Sequence, residues 1–399
     1  MISSVWTRIE TAANTGLQLA FIALGVTIPI SVALDGVLVG VIALCWLVAG
    51  KLTHTFEIIM SDAVARLAAL WFVAHLLGAL YSIGDRGEIV SSIAKAGTFL
   101  FIPIAIRSLA KSKLRERALQ ALMVSIGVTL ALSWLLWLGV LPENTLLKGT
   151  AATPHVFKNH ITHNLVMAFG AFIFAIQATR ATTRRNRFLL NVLSALAAFN
   201  VLYMVEGRTG QLVLLGLIAY YCIWRLGRRG MIAAVALSLL AATSAYLMPT
   251  SSLHKRMARA IAEVQDWRPG ALATTSMSHR LEFYRNTLPI VAEHPVLGVG
   301  TGGFVAAYAR RVSGTESAPS RNPHNQYLLT TVQLGLPGLL LLFSIFWAWW
   351  RTAARLHNPE DAVIARALVI TYLIAGMVSS VFMDHTEALL FVWASGILF

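Results

Sequence analysis

The stretch Arg321-Asn322-Pro323-His324-Asn325-Gln326-Tyr327-Leu328 joins a long polar segment to the start of an apolar run. The polar segment, residues 249–325, contains four histidines and nine lysines and arginines against five acidic residues. The chain on either side of it has the composition of a membrane protein. A membrane protein has little reason to hold so much basic chain outside lipid unless that chain binds or reacts with a partner. We therefore expect the segment to carry function.

Composition sets the class of protein. Of the 399 residues, 57% are apolar and 13% are charged, and the mean hydropathy is +0.68, which is far from a soluble domain of this length. Apolar runs of about 17 to 25 residues recur, and this length crosses the hydrocarbon core of a bilayer. Cys45 and Cys222 lie inside such runs and are interpreted as core residues. The sequence predicts an all-α polytopic membrane protein.

Twelve candidate spans divide the chain. They lie near residues 15–34, 36–50, 64–83, 89–107, 118–140, 161–179, 188–206, 210–226, 230–248, 326–350, 362–382 and 387–399. The predicted organisation is a single membrane domain: residues 1–248 with nine helices, a loop domain at residues 249–325, and residues 326–399 with three more. The first apolar run has no clear small-residue cleavage site, so no cleaved signal peptide is expected.

The loops between these spans alternate in charge. One set holds 16 of the 32 lysines and arginines, whereas the short loops of the other set keep only Arg86, Lys148, Lys158 and Arg208. Because cytoplasmic loops are enriched in lysine and arginine, the first set and both termini are predicted to be cytoplasmic, and the polar segment faces outside. Topology then accounts for most of the net charge of +14 without nucleic acid. Basic residues on the outer side suggest an anionic substrate that enters from the bilayer, such as a lipid-linked phosphate or pyrophosphate.

His324 is the strongest candidate for chemistry. A histidine with an ordinary pKa near 6.5 is largely neutral outside the cell and can accept a proton from a sugar hydroxyl. The alternative is a histidine that caps the following helix or contacts lipid headgroups. His160 and His163, beside Lys158, begin another helix on the same side, either as part of the same pocket or as an interfacial cap. A metal site is not expected, because no acidic or cysteine ligand lies near these two histidines in the sequence.

The enrichment of basic residues in cytoplasmic loops does not explain two arginines. Arg208 lies in the very short outer turn Glu206-Gly207-Arg208-Thr209-Gly210, and a charge at such a depth usually faces the protein interior. The alternative is a salt bridge to Glu206 or a side chain that reaches the interface. Arg280 is predicted at the N-terminal end of an amphipathic helix over residues 279–292, with Leu281, Tyr284, Leu288 and Val291 as its apolar stripe. Such a helix end favours anions.

Several other segments carry weaker signals. Leu253, Met257, Ile261 and Val264 recur at helical spacing and predict a helix in the membrane interface. The stretch from His294 to Phe304 is glycine-rich, which permits a tight irregular turn. The short turn Asp384-His385-Thr386-Glu387 places two acids on the outer side, where they balance the basic pocket or orient an acceptor.

At these residues the chain resembles the O-antigen ligases of the bacterial O-antigen ligase/polymerase superfamily. The resemblance rests on Arg208 in its Gly-Arg-Thr-Gly turn, on the stretch Arg280 to Arg285, and on His294-Pro-Val-Leu-Gly-Val-Gly. It continues through His324-Asn325-Gln326-Tyr327-Leu328 and Gly335-Leu336-Pro337-Gly338. These motifs are specific to the superfamily but not to its ligase branch.

The resemblance implies an inverting, metal-independent glycosyltransferase without cofactors, on a scaffold similar to GT-C enzymes, at the periplasmic face of the inner membrane. The implied donor is a polysaccharide on undecaprenyl pyrophosphate, and the implied acceptor is lipid A–core. His324 would be the general base, and Arg208 and Arg280 would stabilise the leaving diphosphate. Further residues are implied in substrate binding: Lys158, His160, His163, Arg285, Asn325 and Tyr327.

Three other functions remain open. An O-antigen polymerase would use the same donor with a second lipid-linked glycan as acceptor, and an O-linked oligosaccharyltransferase would glycosylate protein serine or threonine. A flippase of lipid-linked glycan would need polar or broken helices near the bilayer midplane, whereas the predicted spans are mostly apolar.

Overall fold

The computed structural model describes residues 2–142, 147–247, 258, 261–270 and 275–399. The helices of this part of the chain are α1 Ile2–Thr27, α2 Val32–Val48, α3 Leu52–Ser61, α4 Ala63–Ala79, α5 Arg86–Gly97, α6 Phe101–Ser108, α7 Ser112–Trp137, α8 His160–Arg180, α9 Arg184–Phe199, α10 Arg208–Leu226, α11 Arg228–Leu247, α12 Ser276–Glu293, α13 Phe304–Val312, α14 Gln326–Ala353, α15 Pro359–Val378 and α16 His385–Leu398. A 3-10 turn, Thr98–Leu100, joins α5 to α6, and a π-helical turn, Asn200–Met204, extends α9.

The predicted all-α polytopic membrane protein is confirmed. Eight helical stretches in the described residues are long and apolar enough to cross a membrane, or nine if the bent pair α2 and α3 is one span. The shorter apolar helices α4 and α16 coincide with two further predicted spans, and α11 coincides with another. Each of the twelve predicted spans thus overlaps a helix, and their number as membrane crossings stays a prediction.

The boundaries near the N-terminus differ from the prediction. The first span was expected at residues 15–34, but α1 ends at Thr27 and α2 begins at Val32. Pro29 explains the break, because proline lacks an N–H and disfavours helical geometry in the residue before it. Helix α3 was not predicted; it turns by 103° from α2 after Gly50, which has a φ of +62°.

Helix α8 forms the centre of the bundle. Every side chain from Thr162 to Phe174 is buried, and α8 packs against α7, α9, α10 and α15. A helix that is apolar on all faces lies in a protein core or spans a membrane, and neighbouring helices enclose most of α8. Helices α8, α10, α14 and α16 all begin at the same end of the bundle, which we call the site end.

The polar segment packs over the site end as a small unit. Helix α12 starts with a capping box between Thr275 and Ser278. Helices α12 and α13 share a hydrophobic cluster with the first turns of α14, formed by Ile290, Val299, Phe304, Ala307, Tyr308, Val312, Leu329 and Val332. We call residues 275–325 the lid.

The predicted apolar stripe of α12 is not the most buried face of the helix, although its member Val291 packs against the hydrophobic cluster. Leu288 is 55% exposed, whereas Glu282, Asn286 and Thr287 on another face are buried together with Ile290. Buried polar groups are tolerated where they are hydrogen-bonded, and Glu282 accepts hydrogen bonds from Ser317 and Asn286. Polar pairing rather than hydrophobic periodicity therefore decides which face packs inward.

The predicted interfacial helix of residues 253–264 lies largely outside the described residues. Its two described stripe positions, Ile261 and Val264, are exposed.

The glycine-rich stretch inserts beside a break in α14. Gly335 has a φ of +66°, and the helix is kinked there. Leu336 donates its N–H to the carbonyl of Pro295 at 2.8 Å instead of bonding within its own helix. A Cβ on Gly335 would lie 2.0 Å from the carbonyl oxygen of Val296, so only glycine fits this position.

The break frees two helix carbonyls, and the glycine-rich stretch uses both. Val299 donates its N–H to Val332 at 2.7 Å, and Gly300 donates to Gln333 at 3.0 Å. Gln333 has no donor within the helix because Pro337, four residues later, lacks an N–H. The Gly-Leu-Pro-Gly motif and the glycine-rich stretch therefore form one hydrogen-bonded unit, which fixes the lid on α14.

Candidate active site

The backbone of His324 adopts an unusual conformation. Its φ is +50°, and in the described part of the chain it has this sign alone among residues other than glycine. The side chain of Asn322 accepts the His324 N–H at 2.6 Å and also accepts a hydrogen bond from the Ser380 hydroxyl at 3.1 Å. Left-handed backbone costs about 1–3 kcal/mol in a residue with a side chain and persists only where surrounding contacts impose it. The lid and the end of α15 thus hold His324 in place.

The imidazole of His324 stacks on the ring of Phe283 in α12. Their centroids are 5.5 Å apart and the planes are inclined by 21°. Burial lowers the pKa of His324, and the charges of Arg280 and His279 lower this pKa further. A histidine with a lowered pKa stays neutral over a wider pH range, as a general base requires.

Arg280 lies within electrostatic reach of both Arg208 and His324. Burial lowers the pKa of Arg280, with a further contribution from the positive charge of Arg208. Neither guanidinium pairs with a carboxylate anywhere in the described ranges. Two adjacent guanidiniums without a counter-ion repel each other, and an anion between them would relieve that repulsion.

Arg280 lies one turn further into its helix than predicted. Helix α12 begins at Ser276, so Arg280 is in the second turn and away from the free N–H groups of the helix end. The predicted contribution of the helix N-terminus to anion binding at Arg280 is therefore wrong, and its contribution would come from the guanidinium itself.

Arg208 is positioned by the packing of its turn on α8. Asn164 donates a hydrogen bond from its side chain to the carbonyl of Val205 at 3.0 Å. A Cβ on Gly207 would lie 2.4 Å from the Asn164 amide nitrogen, and one on Gly210 would lie 2.4 Å from the Asn164 Cβ. The two glycines on either side of Arg208 therefore allow the start of α10 to reach α8.

The end of α15 joins the lid to the bundle. The carbonyl of Met377 accepts hydrogen bonds from the Tyr284 hydroxyl at 3.1 Å and from the Asn325 side chain at 3.0 Å. Arg321 at the end of the lid pairs with Glu88 in α5. These contacts hold Arg280 and His324 on one rigid support.

Three of the residues predicted to bind substrate have their polar groups engaged by protein. Arg285 pairs with Glu282 at 3.0 Å. Asn325 caps α14 by accepting the Leu328 N–H at 3.0 Å, and the Tyr327 hydroxyl donates to the carbonyl of Leu373 at 2.7 Å. The structure gives each a role in holding the lid or α14, and their contact with substrate stays a prediction.

The predicted residues of the α8 region divide into two groups. His160 is exposed, with its ring centroid 6.2 Å from that of His155, and is open to a ligand. His163 is buried and its Nε2 lies 3.1 Å from the side-chain oxygen of Asn200 in the π-helical turn. His163 therefore joins α8 to α9.

Lys158 lies beside a carboxylate that sequence reasoning missed. Its Nζ is 3.7 Å from Oδ2 of Asp35, and both side chains are buried. Burial lowers the pKa of Lys158, and Asp35 partly offsets this effect. Asp35 also accepts a hydrogen bond from Thr27 at 2.7 Å and lies 3.9 Å from His385. A lone aspartate in an apolar run was the available signal, because intramembrane charges are rare and paired.

The sequence prediction also missed His279 and Phe283 as site residues. The ring of His279 stacks on that of Phe283 with centroids 5.9 Å apart, and the charge of His279 acts on His324. The signal was the spacing of His279 and Phe283, four residues apart on one helix face.

Comparisons with known proteins bear on the same region. Residues 192–343 match the family described as O-antigen ligase, and this range includes Arg208, Arg280, His324 and Gly335. A "putative polysaccharide ligase" of Rickettsia conorii is 31% identical over 124 residues, which are 29% of this chain and 30% of that protein. A "putative polysaccharide ligase" of Rickettsia bellii is 27% identical over 113 residues, which are 26% of this chain and 27% of that protein. An uncharacterized protein of Haemophilus influenzae is 23% identical over 205 residues, 48% of this chain and 51% of that protein.

The helical bundle is that of a polytopic membrane protein, and its residues 192–343 are similar to the O-antigen ligase family. The matches cover between 27% and 51% of the length of these relatives.

Proposed function

We propose that this protein transfers O-antigen polysaccharide from undecaprenyl pyrophosphate to the lipid A–core acceptor, by inverting and metal-independent chemistry at the periplasmic face of the inner membrane. One observation carries the proposal: at the site end, Arg280 lies within electrostatic reach of both Arg208 and His324, although the three residues are far apart in the chain. The family match supports transfer of the O-antigen ligase type, while donor, acceptor and mechanism are proposed here.

His324 is proposed as the general base. It takes the proton of the acceptor hydroxyl as the oxygen attacks the anomeric carbon of the first donor sugar. The new glycosidic bond forms on the face opposite the pyrophosphate, and the bond from that carbon to the pyrophosphate oxygen breaks. The pair of electrons leaves with undecaprenyl pyrophosphate. The pKa of His324, lowered by burial, supports this role because the ring is neutral before the reaction.

Arg208 and Arg280 are proposed to bind the pyrophosphate. Guanidinium groups are permanently charged and bind phosphate oxygens in pairs, so they can stabilise the charge that develops on the leaving group. Preorganised charges of this kind contribute strongly to catalysis in a site sheltered from water. The mutual closeness of the two arginines supports one shared anion between them.

His160 is proposed as a further contact for the donor, since it is exposed at the same end of the bundle as Arg208. The packing of Gly207 near the His160 carbonyl supports this placement. The apolar helices would supply the groove for the polyprenyl chain.

The test is transfer by purified protein in detergent or vesicles. Lipid-linked donor is combined with lipid A–core, with a second lipid-linked glycan, or with an acceptor protein. We expect product with lipid A–core only. Product with the second lipid-linked glycan alone would assign a polymerase, and product on protein alone would assign an oligosaccharyltransferase. Dependence of the rate on a divalent ion, with loss in chelator and recovery on its return, would contradict the arginine mechanism.

A further inference from the structure

A polar cavity opens at the end of the bundle opposite the site end. Its volume is about 330 Å³, and it lies between α1, the α2–α3 bend and the end of α6. Its walls carry Asn14 and Gln18 of α1, Trp46 of α2, and the basic residues Lys51, Arg107 and Lys111. By the positive-inside rule this end faces the cytoplasm.

Two amides in the cavity wall have no hydrogen-bond partner among the described residues. Asn14 and Gln18 lie one turn apart on a membrane-spanning helix, both half-buried, and neither side chain bonds to any described residue. Unpaired polar groups inside a bilayer cost several kcal/mol each. Polar groups from outside the described residues, such as water or a lipid headgroup, can satisfy them, so the cavity is suited to a polar ligand.

The charges at the cavity favour an anion. Lys51 pairs with Glu10 at 2.8 Å, so these two charges largely cancel. Arg107 and Lys111 have no carboxylate partner in the described part of the chain, and both are exposed at the cavity. An arginine and a lysine with free donors are suited to a phosphate.

Helix α3 indicates that the anion belongs to a lipid. Leu52, Phe56 and Met60, spaced four residues apart, form an exposed apolar stripe, while Thr55 of the same helix is buried at the cavity. The helix is bent 103° from α2, as expected of a helix that lies in the membrane interface with its apolar face in the acyl chains. Acyl chains would thus run along α3 directly beside the basic cavity.

We propose that this cavity binds the phosphate headgroup of an anionic phospholipid. Arg107 and Lys111 hold the phosphate, Asn14 and Gln18 bind its ester or glycerol oxygens, and the acyl chains lie on the Leu52–Phe56–Met60 stripe. The site is separate from the candidate active site and does not depend on the proposed glycosyl transfer.

The test measures lipid binding by full-length protein in a zwitterionic detergent. Binding of dioctanoyl phosphatidylglycerol is compared with dioctanoyl phosphatidylcholine and with inorganic phosphate. We expect the anionic lipid to bind most tightly, and the double substitution Arg107→Gln, Lys111→Gln to weaken it by about ten-fold or more while the zwitterionic lipid is unaffected.

The matched control is Arg184→Gln, Arg185→Gln, which removes two exposed charges from the start of α9, at the same end of the bundle but outside the cavity. The control should bind the anionic lipid as the wild type does.

A second variant, Gln18→Leu, should weaken binding without changing charge. Equal loss in the arginine control, or equal affinity for both lipids in the wild type, would overturn the proposal. Binding of inorganic phosphate as tight as that of the anionic lipid would overturn the lipid assignment. Melting curves of all variants in detergent identify any that fail to fold. If the double variant does not fold, the lipid affinity of Gln18→Leu, which leaves the charge unchanged, decides whether the cavity binds the lipid.

Discussion

The ring of His324 stacks on the ring of Phe283, with centroids 5.5 Å apart, and this contact joins the end of the lid to α12. Because Phe283 lies three residues after Arg280, the same helix places both the aromatic support of the proposed base and one of the proposed phosphate ligands. A shift of α12 would therefore displace both groups together.

Phe283→Leu should lower the turnover number while the protein still folds. Leucine keeps an apolar side chain beside Tyr308 but removes the flat surface on which the imidazole lies. A misplacement of about 1 Å in a catalytic group can cost on the order of 100-fold in rate. Steady-state kinetics with purified protein would measure the loss, and Phe283→Tyr should retain most of the rate. Unchanged turnover in Phe283→Leu would show that stacking does not position His324.

Replacing His324 should abolish transfer. In the wild type, the titration of His324 should set the acid limb of the pH–rate profile. We expect no product from His324→Ala or from His324→Asn, although asparagine tolerates the positive φ of this position and serves as the folding control. Burial lowers the pKa of His324 below 6.5, so the neutral base is present above that lowered pKa and lost as the pH falls through it. The acid limb of the wild-type pH–rate profile should thus have its midpoint below 6.5.

Gly335→Ala should destabilise the lid strongly. The new Cβ would lie 2.0 Å from the Val296 carbonyl oxygen, and alanine disfavours the φ of +66°. Thermal unfolding in detergent would measure the effect. Gly40→Ala in α2 is the matched control, because a Cβ there meets no atom within 4 Å, and alanine is favoured over glycine in a helix by about 1 kcal/mol. Equal melting temperatures for the two variants would contradict the interlocked hydrogen bonds between α14 and the glycine-rich stretch.

The Asp35–Lys158 pair should behave as a unit. Removing one partner leaves a buried charge uncompensated, which costs about 3–5 kcal/mol. Asp35→Asn or Lys158→Met alone should therefore lower the melting temperature sharply, whereas the double variant should recover much of the loss. A double-mutant cycle from thermal unfolding would measure the coupling. Additive losses would show that the two charges act independently.

Glu282 should make the lid sensitive to acid. Burial raises its pKa, but hydrogen bonds from Ser317, Asn286 and the N–H of Gly270, with the charge of Arg285, outweigh burial and hold the folded pKa below 4.5. Its stabilising contribution is therefore complete above pH 4.5 and is lost as the pH falls through the lower folded pKa.

Glu282→Gln should have a lower melting temperature than the wild type at pH 7. This gap in melting temperature should close in acid. Glu293→Gln removes an exposed carboxylate from the same helix and is the control, with little expected effect at either pH. A gap that stays constant from pH 7 to pH 3.5 would argue against ionised Glu282 as the organising group.

Local patterns in the sequence predicted the bundle, which the structure confirms, and they indicated the residues of the candidate site. Hydrophobic runs gave the helices, and the motifs around Arg208, Arg280 and His324 gave three residues that the structure brings together. The errors came from interactions that periodicity does not encode. The buried face of α12 depends on the hydrogen bonds of Glu282, and the N-terminal boundary depends on Pro29.

Sequence by itself determined the class of protein, the positions of the apolar helices and the residues able to bind an anion or accept a proton, because these follow from composition and side-chain chemistry. Only the tertiary structure decided how they meet. Gly335 and Pro337 free carbonyls that the glycine-rich stretch occupies, Asn322 imposes the backbone of His324, and Asp35 pairs with Lys158 from a distant helix. Each of these contacts joins residues far apart in the chain, and their partners are set by packing rather than by local spacing.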